Sequence, residues 1–227
     1  MRRPVLIAVL ASIPVLGLLL FLGTWQVQRL AWKNDLIARI AASEAAPAAP
    51  LTEPPAMLAK VRATGRFDHA KEVLLGLEVR GPVLGAHLVT PLLRDGASTI
   101  LVDRGWVPIE SRAPIARPEG EVTVEGWVRP GERAGTLSAT DDPAGRRFYT
   151  FDPDAIGRAL GLDPVASFGL VALGDGGGTL PDPARTLPRP TNSHLGYAIT
   201  WYGLALALVG VLVAFVRRRG DEQQSRP

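Results

Sequence analysis

VLIAVLASIPVLGLLLFLG at residues 5–23 and LGYAITWYGLALALVGVLVAFV at residues 195–216 are apolar runs of 19 and 22 residues without a charged side chain. At about 1.5 Å per residue they reach about 28 and 33 Å as helices, enough to cross a bilayer core of roughly 30 Å. Thirteen residues of the first run are Val, Ile, Leu or Phe. At about −0.3 to −0.6 kcal/mol each near the bilayer centre, they outweigh Ser12 and Pro14. The run also exceeds the usual ~7 to 15 residues of a signal-peptide core, and Phe21-Leu22-Gly23-Thr24-Trp25 offers no small-x-small cleavage site, so it reads as an anchor. Only four residues precede it, too few for an Arg-rich amphipathic presequence, and the expectation is a bacterial inner (cell) membrane.

The chain of 227 residues carries a net charge of +3. Arg2 and Arg3 supply +2 and the tail, residues 217–227, another +2, leaving −1 for everything between the runs. Basic ends stay inside, so both termini are expected in the cytoplasm and the central domain in the periplasm; long translocated loops largely escape the charge rule, which accommodates Arg29 and Lys33. The central domain has no electrostatic footprint for nucleic acid, and the tail arginines belong at the lipid surface. With no cysteine, the chain has no disulfide framework, no CxxC site and no thiolate metal site.

Between the spans the texture turns from helical to β. Residues 24–60 read as an interfacial segment followed by a Pro/Ala-rich linker, EAAPAAPLTEPPA at 44–56. Residues 61–173 then carry alternating or β-branched runs at 61–67, 73–77, 86–92, 99–107, 122–128, 147–151 and 165–172, punctuated by Arg80-Gly81-Pro82, Asp95-Gly96, Pro118-Glu119-Gly120 and Pro130-Gly131. One short helix is predicted over 154–160, with Asp152 as N-cap, Pro153 at its first position and Gly161 just past its end. Residues 174–193 form a Gly/Pro-rich connector and 194–216 the second span. The expected fold is thus a membrane protein with two transmembrane helices flanking an outer β-rich (α+β) domain, a small barrel or sandwich.

Catalytic signatures are missing. His69, His87 and His194 are the only histidines, none at helical metal-site spacing from another His or Glu, and two methionines without cysteine do not make a copper-delivery site. No GxSxG occurs, and GDGGG at 174–178 lacks the Lys-Ser/Thr of a phosphate loop. Asp103-Arg104-Gly105-Trp106 reads as a turn held by an ion pair or an Arg–Trp contact. What remains lies at the outer ends of the spans. At about 100° per residue Trp25, Gln28, Arg29 and Trp32 share one face of the first helix, and His194, Tyr197 and Trp201 share one face of the second. Gly196, Gly203 and Gly210 repeat every seven residues on the opposite side, a smooth stripe for close helix approach. Trp and Tyr gather at bilayer interfaces for amphipathic reasons alone, and His69 and His87 in strand-like segments have a structural default. A neutral imidazole at His194 suits either a hydrogen bond or an iron ligand.

Five stretches, GTWQVQRLAWK (23–33), ATGRFDH (63–69), GPVLGAHLVTPL (81–92), LVDRGWVP (101–108) and PTNSHLGYAITWYGLALAL (190–208), resemble the Surfeit locus (Shy-type) family of cytochrome c oxidase assembly factors. The resemblance implies a respiratory-chain chaperone, not an enzyme, that assists maturation of subunit I of haem-copper oxidases, with bacterial members binding haem a and passing it on. His194 and Trp201 match the family's Asn-x-His and Tyr-Ala-x-Thr-Trp positions; Asp103 departs from the Asn usual before Arg-Gly-Trp. On this reading His194 is the axial ligand of haem a iron, Trp201 and Tyr197 flank the macrocycle, Trp25 to Trp32 closes the site and Arg29 pairs with a propionate. Subunit I is the expected partner, with haem a synthase as a candidate donor. Two rivals stay open: a scaffold that stabilises a subunit I intermediate without haem, and an enzyme acting on haem, for which the several intramembrane histidines are missing.

Overall fold

The computed structural model of the chain describes residues 3–110, 113–136, 138–175 and 177–224. In chain order its elements are α1 (Arg3–Ala45), β1 (Ala49–Pro50), β2 (Lys60–Phe67), a 3₁₀ turn (His69–Lys71), β3 (Val73–Arg80), β4 (Val83–Leu93), β5 (Thr99–Pro108), β6 (Glu121–Pro130), β7 (Arg147–Phe148), α2 (Pro153–Leu160), β8 (Val165–Ala172) and α3 (His194–Gln224). They form two compact units, a helical one from residues 1–39 and 189–227 and a β-rich one from 40–188.

Two helices, Val5–Ala45 and His194–Arg219, are long and apolar enough to cross a membrane; the second and all but residues 40–45 of the first lie in the helical unit. The first helix does not stop at Gly23, where the apolar run ends, but continues unbroken to Ala45. Thr24 to Ala45 contains no glycine or proline, so nothing ends the helix when its side chains turn polar, and an Asp35–Arg39 pair at i,i+4 spacing (2.8 Å) supports the extension. The segment expected as interfacial structure plus linker therefore starts as about six further turns of helix. Of the tail expected at 217–227, the backbone is helical through Gln224, and residues 225–227 lie outside the described residues.

The β-rich unit is a closed barrel of five strands, in ring order β2-β6-β8-β5-β4, sealed by pairing of β2 with β4. Strand β1 lies parallel on β2, while β3 and β7 extend the sheet beyond β4. Alternation sorts the side chains. Val61, Ala63, Leu92, Ile100, Val102, Val124, Phe168 and Leu170 come from all five ring strands and fill the interior. Leu101 points the other way, into a second cluster with Val73, Leu75, Val89, Phe148, Phe151 and Ile156 that α2 covers. That helix is capped as predicted: Asp152 Oδ1 accepts from Ala155 N at 3.0 Å, Pro153 opens it, and Gly161 at φ +62° ends it by donating to Arg158 and Gly157 carbonyls.

Asp103-Arg104-Gly105-Trp106 is not a turn. It lies within β5, where the ladder to β4 shifts register between His87–Trp106 and Val89–Asp103. Trp106 takes its cation–π contact from Arg80, 5.1 Å from the ring centroid, rather than from Arg104. At the bulge Gly105 has φ +124°, and a Cβ there would run into the Asp182 carbonyl. This close approach docks the connector: Trp106 and Asp182 exchange two backbone hydrogen bonds of 2.9 Å, and Leu173 bridges to Ala184. Replacing Gly105 by Ala combines an unfavourable φ with a backbone clash, and should destabilise the detergent-solubilised protein by roughly 3 kcal/mol. A denaturation midpoint equal to wild type would show that the connector contact is dispensable.

Candidate functional site

Helices α1 and α3 pair antiparallel, since contact partners on α3 move back along the chain as those on α1 advance. Tyr202 Oη meets Thr24 Oγ1 at 3.1 Å, His194 meets Gln26, and just ahead of α3 Thr191 accepts from Lys33 Nζ at 3.1 Å while Asn192 donates to Asn34 Oδ1 at 2.8 Å. The buried positions of α3 are Ala198 and Ala205, seven apart, and a Cβ at Gly23 of α1 would touch the Tyr202 ring. Gly196, Gly203 and Gly210 have open space where a Cβ would stand, so the small-residue stripe is not the face that meets α1.

His194 is the first residue of α3 and half-buried. Its Nδ1 lies 2.6 Å from Gln26 Oε1, and the Trp25 indole stands edge-on to it, centroids 6.5 Å apart at 83°. Arg29, one turn beyond Trp25, lies 5.9 Å from the Trp25 ring centroid and 5.4 Å from that of Trp32. It forms no ion pair among the described residues. The structure thus brings together His194, Trp25, Arg29 and Trp32. On α3 itself Tyr197 and Trp201 follow three and seven residues after His194, on its side of the helix; Tyr197 is 54% exposed and Trp201 half-buried.

The other two histidines have both ring nitrogens engaged. Glu72 Oε1 lies 2.9 Å from His69 Nδ1, and the Pro118 carbonyl 2.9 Å from its Nε2. The same Glu72 carboxylate accepts from Arg104 at 3.2 Å and Arg117 at 2.8 Å. His87 bridges Asp103 (Nδ1, 2.9 Å) and Glu78 (Nε2, 2.8 Å), which Arg80 links onward to Asp182 at 2.6 Å. Asp103 is therefore used as an acceptor: its Oδ1 takes both His87 and the Gly105 N–H, which a carboxylate serves without any amide donor. A groove of about 870 Å³ between this row and residues 182–188 is walled by Trp127 and Val171 as well, but Arg80, His87, Arg129 and Arg185 each face a carboxylate across or beside it. Among the described residues no three His, Cys, Asp or Glu side chains converge on a metal position. The arrangement at His194 offers a single nitrogen ligand beside two indoles and one guanidinium.

The sequence profile of the SURF1 family matches residues 14–206, which contain every residue of this site. The chain belongs to the SURF1 family. Members of the family are known as oxidase assembly factors. Surfeit locus protein 1 of Mus musculus is 35% identical over 213 residues, covering 82% of this chain and 68% of its own length. That of Homo sapiens is 34% identical over 211 residues, at 82% and 70%, and the SURF1-like protein of Monosiga brevicollis is 34% identical over 235 residues, at 94% and 88%.

Within this SURF1 chain, the residue that sequence reasoning passed over is Gln26. A uniform 100° step starting at Trp25 groups it away from Arg29 and Trp32, yet it is only 8% exposed and reaches the imidazole. No local sequence signal singles it out; only its burial against α3 does.

His87 also makes the stability of the β-rich unit depend on pH. Asp103 above all, then Glu78, holds its pKa above the ordinary 6.5 against the opposing effect of burial, so the folded protein favours the imidazolium. The resulting stabilisation is complete below the unfolded value near 6.5 and disappears as pH rises through the higher folded value. Thermal midpoints should therefore fall above about pH 6.5 in wild type. His87→Gln should be less stable at low pH and flat across this window; a wild-type midpoint constant from slightly acid to alkaline pH would contradict the assignment.

Proposed function

We propose that this chain binds haem a at the outer membrane interface and assists its insertion into subunit I of a haem-copper cytochrome c oxidase. The observation that carries the reading is the inequality among three histidines: His69 and His87 spend both nitrogens on protein partners, while His194 spends Nδ1 alone and, among the described residues, keeps Nε2 for a ligand. An axial histidine needs its second nitrogen oriented by a partner, which Gln26 provides. Bound haem a supplies the iron and the redox-active macrocycle. The protein would supply His194 Nε2 as a ligand, Trp25 as an apolar wall, Tyr197 and Trp201 as further ring contacts, and Arg29 as a cation for a propionate.

The basic ends and near-neutral middle support cytoplasmic termini with the β-rich unit on the opposite side of a bacterial inner membrane. In that position a haem a synthase in the same bilayer is the natural donor and subunit I the acceptor. No covalent chemistry falls to the chain's own residues, whose work is binding and orientation.

The test is the visible spectrum and extracted pigment of protein purified from cells that make haem a, for wild type and His194→Ala. The expected result is a haem a spectrum in wild type and at least a tenfold lower occupancy in the variant, as for loss of a sole protein ligand. Equal occupancy in the variant would reject His194 as the ligand. A colourless wild type would favour a scaffold that holds a subunit I intermediate without haem.

A further inference from the structure

We infer that Gln26 is the positioning residue of this site: by accepting a hydrogen bond from His194 Nδ1 it fixes the ring as the Nδ1–H tautomer and presents the Nε2 lone pair for ligation. The purpose of the arrangement rests on the haem-binding reading above, whereas the tautomer is a property of the protein alone.

Gln26 Oε1 carries no proton, so a contact of 2.6 Å between it and His194 Nδ1 requires the hydrogen to sit on the ring nitrogen. One proton on a neutral imidazole leaves the other nitrogen as a base. Free rotation of the ring would undo this. It is restricted on one side by the Trp25 indole at 83° and on the other by the cost of leaving a side chain that is 8% exposed without its partner. The two residues sit on different helices, so the bond also fixes the height of His194 against α1, together with the Thr24–Tyr202 and Asn34–Asn192 contacts on either side.

The chemistry of the acceptor is informative as well. In the β-rich unit both histidines are paired with carboxylates, Glu72 for His69 and Asp103 with Glu78 for His87. At His194 the acceptor is a neutral amide, and among the described residues no carboxylate is paired with the ring. A carboxylate partner draws positive charge onto an imidazole and so takes away the lone pair that a metal needs, unless the metal is already bound. The amide orients the ring without competing for its second nitrogen. Gln26 thus selects the ligating form of His194 before any ligand arrives.

The experiment uses full-length protein in detergent micelles, labelled with ¹⁵N-histidine and free of haem, as wild type, Gln26→Leu and Gln26→Glu. His194→Ala assigns the third resonance pair. Wild type is expected to show a protonated Nδ1 and an unprotonated Nε2 at His194. Gln26→Leu should shift population to the Nε2–H form and weaken haem a binding about tenfold, while Gln26→Glu, which keeps an acceptor, should keep Nδ1 protonated but add a population protonated on both nitrogens. Unchanged His69 and His87 signals certify that the β-rich unit of each variant is folded, and an unchanged far-UV helical signal certifies the helix pair. A wild-type His194 protonated on Nε2 would overturn the inference outright, as would Gln26→Leu that leaves both tautomer and affinity unchanged; if that variant does not fold, the wild-type spectrum alone still decides. Failure of the haem reading is separately visible, because His194→Ala would then bind haem a like wild type whatever the ¹⁵N spectra report.

Discussion

A five-stranded ring is closed or it is not, and closure here rests on two residue pairs, Arg66–Leu93 and Phe67–Leu92, between β2 and β4. Gly65 allows the strands to come that close, since a Cβ at this position would strike the Leu93 carbonyl. Once the ring is closed its interior is a single apolar core drawn from all five strands, and no ladder between β2 and β4 is left open. The rest of the unit is arranged on its outer wall. The β3–β4 hairpin overhangs it, α2 covers Leu101 and Phe151, and the connector lies against Trp106 through Asp182.

Charge is handled differently in the two units. In the β-rich unit, buried or half-buried ionic groups balance one another: Glu72 serves His69, Arg104 and Arg117, and Asp103 serves His87 and Arg129. Groups so completely paired specify geometry and have little left for a ligand. Among the described residues the helix pair leaves the second imidazole nitrogen of His194 without a partner and holds the Arg29 guanidinium only by aromatic faces. Function is read where the polar groups are not exhausted by the fold.

Much of this was legible from residue pattern. Seven of the eight strands and the short helix fall where alternation, Asp152-Pro153 and Gly161 put them, because each signal is local; β1, at Ala49–Pro50, lies in the stretch read as linker. What pattern reading missed depended on distant partners. Asp103 to Trp106 reads as a turn from its Gly and its ion-pair chemistry, and only the pairing of Asp103 with His87 and of Arg104 with Glu72 explains it as strand. Likewise the change from apolar to polar at Thr24 marks the end of a hydrophobic run, not the end of a helix, which is set by backbone-breaking residues absent until Pro47. That Trp25 and Arg29 share a helix face follows from spacing, whereas the approach of Gln26 to His194 needed the second helix in place.

Adjacent Asp103 and Arg104 point to opposite sides of β5, the carboxylate toward His87 and Arg129, the guanidinium toward Glu72. A slip of β5 by one residue would exchange them, setting a guanidinium against an imidazolium and another guanidinium, and a carboxylate against a carboxylate. Mispaired intermediates of the barrel are thus penalised twice, by moving Ile100 and Val102 out of the barrel interior and by like-charge contacts on both faces. This dipeptide acts as an error check on assembly: its two opposite charges accept one alignment of the central strand and reject its nearest neighbours.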